Sequence, residues 1–82
     1  MTSREQIVSQ AQAIFREVLD SPNLVLTDDL TAAKVKGWDS LNHMTLVMTL
    51  EEHFKVRFAT WQVMSWKNVG EMLDCVEGQL NK

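Results

Sequence analysis

Apolar residues recur along this chain in three runs of helical period, interrupted by one long stretch that has none. In the first run, Ile7, Ala11, Ile14, Phe15, Val18 and Leu19 fall on one side of a helix. Ser3 and Gln6 stand ahead of them at capping-box spacing. Ser21-Pro22-Asn23 ends the run, since proline cannot continue a helix and restricts the residue before it. From Ser21 to Trp38 no long periodicity survives. Loops of this length inside a compact domain are uncommon and tend to be anchored or functional. Leu24, Leu26, Leu30 and Val35 are its candidate anchors, and Thr27-Asp28-Asp29 predicts one capped helical turn.

The second run predicts a helix from Ser40 to Phe54, with Asp39 as N-cap. At about 100° per residue, Leu46, Val47, Leu50 and Phe54 share a core face. Leu41, Met44 and Met48 fall largely opposite, on a stripe that a domain this small has nothing to cover. Lys55 to Ala59 reads as a connector anchored by Val56 and Phe58, and Thr60 to Trp66 as a short third helix. Asn68 and Glu71 then open a last helix that turns Val69, Met72, Leu73, Val76 and Leu80 inward. Residues 1–82 thus read as a single all-α domain. It is a small up-and-down four-helix bundle, three helices longer and one short, with a long first loop.

Composition narrows the function classes. Eleven acidic and eight basic side chains leave a net charge of −3, without the clustered basic face that nucleic acid needs. No stretch is long and apolar enough to span a membrane, and the polar, mixed-charge start shows no secretory signal. The single cysteine, Cys75, cannot form an internal disulfide, so the chain reads as cytoplasmic, and a monomer is expected. His43 and His53 are ten residues apart on one helix, about 15 Å along its axis, and cannot share a metal.

The chemistry concentrates at Trp38-Asp39-Ser40-Leu41, where the long loop meets the second helix. Gly37 gives the backbone freedom just before it. A serine on a first helical turn is exposed. A phosphate built on its hydroxyl would lie beside unpaired N–H groups and the positive end of the helix dipole. No Gly-rich elbow, oxyanion loop or third orienting group accompanies Ser40 and His43, so the chain does not read as an enzyme.

Together, the Asp-Ser-Leu junction and the stretch Gly37 to Phe58 (GWDSLNHMTLVMTLEEHFKVRF) resemble the acyl carrier proteins. The family's LVxxLEExF pattern is matched by Leu46, Val47, Leu50, Glu51, Glu52 and Phe54. The resemblance implies that Ser40 accepts phosphopantetheine from coenzyme A, and that Asp39 and Leu41 are read by the phosphopantetheinyl transferase that installs it. It further implies partner contacts at Leu41, Met44, Met48, Glu51 and Glu52. The partners would be acyl-loading, acyl-transfer or synthase enzymes of fatty acid, lipid or polyketide-type biosynthesis.

The chain departs from the acidic carriers of primary fatty acid synthesis. Asn42, His43 and Thr45 stand where acids are common there. Between Ser40 and Phe58, Glu51 and Glu52 are balanced by Lys55 and Arg57, leaving zero formal charge with histidine neutral. Electrostatic steering should therefore be weaker than in those carriers. Trp38 and the flanking GWDSL form resemble stand-alone carrier proteins of specialised pathways, and that resemblance implies a specialised stand-alone carrier. An aminoacyl or peptidyl carrier, or an unmodified helical interaction module docking through the Leu41/Met44/Met48 stripe, are the alternatives. His43 reads either as a contact for the arm's phosphate or the pocket mouth, or as a half-buried polar residue with no role. Trp61 and Trp66 read as core or rim packing, or as walls of an acyl cavity.

Overall fold

The computed structural model describes residues 2–81. Four α-helices carry the fold, and no strand occurs among the described residues. Helix α1 runs Arg4–Val18, α2 Ser40–Phe54, α3 Thr60–Ser65 and α4 Val69–Leu80. The α1 capping box forms as expected. Ser3 Oγ accepts the Gln6 N–H at 3.2 Å, and Gln6 Oε1 accepts the Ser3 N–H at 3.1 Å.

The stop of α1 is made differently from the sequence reading. Asp20 takes a left-handed conformation at φ 51°, which aspartate tolerates better than most residues. The Ser21 N–H then reaches back to Arg16 O at 2.9 Å, closing the helix end before Pro22 is reached.

The expected helical turn at Thr27-Asp28-Asp29 is a single hydrogen-bonded turn, Leu30 N–H to Thr27 O at 3.1 Å. Thr27 Oγ1 donates to Asp29 at 2.7 Å, holding that carboxyl below the ordinary aspartate range. The helical turn of the loop lies further on, a 3-10 segment at Ala32–Lys34. Threonine and aspartate satisfied each other locally, and the helix was left to the two alanines.

The core is one cluster. Ile7, Ala11, Ile14 and Phe15 of α1 meet Leu46, Leu50 and Phe54 of α2 and Val69, Met72, Leu73 and Val76 of α4. Leu26 and Val56 join it from the loops, and Leu24, Leu30, Val35 and Phe58 pack on its edge. Val47 and Val63 are buried outside that cluster. Helix α3 ends one residue before its expected limit, because Trp66 turns extended and packs against the core.

The long loop is strapped to the start of α4. The first two N–H groups of α4 have no partner inside their own helix. Val69 N–H donates to Leu30 O at 2.9 Å and Gly70 N–H to Asp28 O at 2.8 Å. Arg4 adds a clasp, reaching Asp74 at 2.8 Å, Glu77 at 2.9 Å and Asp28 at 3.3 Å. Burial works against the guanidinium charge, but the bonds to Asp74, Glu77 and Asp28 more than offset it and raise its pKa.

Candidate functional site

Ser40 is the first residue of α2, and its side chain is exposed. Three loop features place it. Gly37 turns the chain at φ +89°, a conformation that favours glycine. Gly37 O then accepts Asn42 Nδ2–H at 2.6 Å. Asp39 caps the helix, its Oδ1 accepting the Asn42 N–H at 2.8 Å while its carbonyl accepts the His43 N–H at 2.8 Å. Among the described residues, the N–H groups of Ser40 and Leu41 take no protein acceptor.

Trp38, just ahead of the cap, holds the junction to the core. Its ring meets Phe15 edge-on at 5.2 Å between centroids. It also stacks on His43, four residues into the helix from the cap, at 6.0 Å and 22°. The pair occupies the two positions of a hydrophobic staple, with an imidazole as one member. The indole N–H donates to His43 Nδ1 at 3.1 Å. Trp66 meets the other side of the imidazole edge-on at 6.2 Å, and Phe58 meets Trp66 at 5.1 Å. The pairing of Trp38 with His43 is local to the helix start, whereas the Trp66 contact is made across the bundle and no sequence spacing discloses it.

Beside Ser40 opens a cleft of about 380 Å³, lined by Ala32, Trp38, Asp39, Ser40, His43, Met44 and Met64. Sequence reasoning missed Met64. A smaller cleft of about 70 Å³ lies against the same Trp38 and His43 and reaches Trp66 and Met72.

The outward stripe of α2 is as expected. Leu41 is 76% exposed, Met44 50% and Met48 64%. Glu52 is exposed, whereas Glu51 is half-buried and its Oε2 accepts the Phe58 N–H at 2.9 Å. Glu51 thus has a structural duty that its place in the motif did not disclose. Trp61, read as core, rim or cavity wall, is 72% exposed, and neither cleft includes it. Six residues of α3 turn only Val63 fully inward, and Trp61 sits two positions away on the solvent side. Cys75 is half-buried and accepts the Trp66 indole N–H at 3.2 Å.

A family model described as "Phosphopantetheine attachment site" matches residues 9–76. The chain belongs to the acyl carrier protein family. It is 32% identical over 78 residues to an acyl carrier protein of Exiguobacterium sibiricum, covering 95% of this chain and 99% of that one. An acyl carrier protein of Thermotoga maritima is 30% identical over 80 residues, covering 98% and 99%. In structure the chain resembles the holo acyl carrier protein of Geobacter metallireducens, with a TM-score of 0.86 and 39% identity. That match covers 92% of this chain and 86% of the other. As a member of this family the protein is a carrier rather than a catalyst, and its cofactor is covalently attached phosphopantetheine.

Proposed function

We propose that Ser40 is the attachment point, and that the protein carries acyl intermediates as thioesters between enzymes of a specialised fatty acid, lipid or polyketide-type pathway. The observation that carries the assignment is the exposed Ser40 hydroxyl beside two unpaired N–H groups at the start of α2. The residues fit the group. A primary hydroxyl is open to solvent, the positive end of a helix favours the phosphodiester charge, and a cleft opens alongside. When bound, the arm supplies a thiol that holds the acyl group as a thioester.

The protein's own residues present and orient. Gly37, Asp39 and Asn42 fix the helix start, so the hydroxyl has one position rather than many. The carboxylate of Asp39 and the side chain of Leu41 flank it and are available to a phosphopantetheinyl transferase. Leu41, Met44, Met48 and Glu52 form the surface open to loading and transfer enzymes. Methionine suits such a surface, because its unbranched thioether adapts to several partners.

Intact-mass measurement after incubation with coenzyme A and a permissive transferase tests the assignment. One phosphopantetheine mass is expected on the wild type and none on Ser40→Ala, with both proteins folded. Modification of Ser40→Ala would move the site elsewhere. A wild type that stays unmodified under forcing conditions would leave only the interaction-module reading. An aminoacyl thioester found on the isolated protein would favour the peptidyl-carrier reading.

A further inference from the structure

We infer that His43 is the polar latch of the cleft beside Ser40: its Nε2–H, aimed by Trp38, donates to an acceptor oxygen of the arm or of the acyl group the arm carries. The inference rests on the attachment at Ser40 proposed above.

The tautomer follows from the partner. An indole nitrogen donates only, so His43 Nδ1, 3.1 Å from Trp38 Nε1, must be the acceptor. The proton of the neutral ring is then on Nε2. Among the described residues no protein group accepts it. The ring is held at its Nδ1 edge by Trp38, whose plane lies 22° from its own, and Trp66 meets it edge-on at 6.2 Å.

The location adds the second argument. His43 follows Ser40 by three residues, so the two share a helix face about 4.5 Å apart along the axis. His43 lines both the cleft of about 380 Å³ that contains Ser40 and the inner one of about 70 Å³. The imidazole therefore stands between outer and inner space. Its donor would be a fixed polar group met, beyond Asp39 and Ser40 at the mouth, by whatever enters past the apolar Ala32, Trp38, Met44 and Met64. Asp39 and Ser40 also line the outer cleft and Lys67 and Asn68 the inner one, but His43 is the polar side chain common to both, and a ligand with no acceptor at that spot leaves its donor unpaired. The inner volume is about half of a cavity that holds benzene, so a long saturated chain does not fit beyond His43 without moving the aromatic wall.

Two sources supply an acceptor oxygen: the arm, through its phosphodiester, hydroxyl and amide carbonyl oxygens, and the acyl group, through its thioester carbonyl or a β-oxo or hydroxyl oxygen. The test loads the full chain through the transferase from coenzyme A, octanoyl-coenzyme A or a non-hydrolysable β-oxobutyryl-coenzyme A analogue, each giving up its phosphopantetheine portion to Ser40 with release of 3′,5′-ADP. The imidazole nitrogens and the Trp38 indole N–H are followed by NMR at pH 8, against the unmodified protein. A downfield shift of the His43 Nε2 proton signal with all three probes assigns the arm as acceptor. A shift with one or both acylated probes but not with the bare arm assigns the cargo.

His43→Phe keeps an aromatic ring but removes the donor. It should speed hydrolysis of the loaded thioester about three- to tenfold, the range of one ordinary hydrogen bond. Trp38→Phe should act in the same direction by releasing the ring. Loading at Ser40 with no response of the imidazole to any probe would overturn the latch and leave the attachment standing. Failure to load would remove the attachment itself. Should His43→Phe not fold, the wild-type spectra still decide.

Discussion

Gly70 and Gly78 are both glycines of α4, and their surroundings give opposite expectations. A Cβ on Gly70 would lie 2.9 Å from Asp28 O and 3.1 Å from Asp28 Cβ, where the first loop presses on the helix start. The obstacle is backbone, so relief requires moving the loop. Gly70→Ala should cost about 1–3 kcal/mol. A Cβ on Gly78 meets nothing within 4 Å. Gly78→Ala should instead stabilise the protein by about 0.5–1 kcal/mol, the propensity difference in a helix interior. Thermal melts decide, since 1 kcal/mol moves the midpoint of a domain this size by about 4–8 °C. Equal effects from the two substitutions would mean that the loop does not press on α4. The sequence disclosed neither environment. It disclosed Ser40, because a hydroxyl on a first helical turn is a local fact, and missed the Glu51 bond to Phe58, which depends on how the connector returns.

At the scale of elements, α2 was legible to the residue. Its N-cap, its buried Leu46, Val47, Leu50 and Phe54, and its exposed Leu41, Met44 and Met48 all follow from period and capping. Helix α4 was equally legible, its Asn68 cap accepting the Glu71 N–H at 3.0 Å. The first loop was not, because its turns are set by bonds between neighbouring polar groups and by contacts with α4. The exposed stripe of α2 gives the element's prediction. Met44→Ala and Met48→Ala should slow acyl transfer to a cognate enzyme and leave the melting curve nearly unchanged. Raising ionic strength should slow association only modestly, since the charges of the second half of α2 and the connector cancel. Transfer rates for wild type and both variants across a salt series measure this. A steep salt dependence with indifferent methionine variants would place recognition on Asp39 and Glu52 instead.

Over the whole molecule, the core and the Arg4 clasp act beside the backbone bonds that strap the long loop to α4, and these two should fail differently. The core is the larger. Phe54 is buried among side chains of three helices, and Phe54→Ala should cost about 3–5 kcal/mol, a large share of the roughly 5–15 available to a small domain. A variant with an unchanged melting midpoint would show that the inward face of α2 is misassigned. The Arg4 clasp is the smaller contact and the more diagnostic. A cation in the first turn opposes the helix dipole, so its placement there calls for acidic partners. That signal was present in the sequence, but which acids answer it was not, because Asp28, Asp74 and Glu77 come from a loop and a helix far along the chain. The guanidinium joins three elements at once, with its side chain 28% exposed and those of Asp28 and Asp74 above 70%. Each pair is therefore screened and worth at most about 1 kcal/mol. Arg4→Met keeps much of the packing and removes the charge. It should cost about 1–2 kcal/mol at low salt, and the deficit should shrink as salt screens the wild-type pairs. Denaturant melts of both proteins at low and high ionic strength provide the measurement. A deficit independent of salt would assign the contribution of Arg4 to packing, and no deficit at all would leave the loop held by Leu30 O, Asp28 O and the core alone.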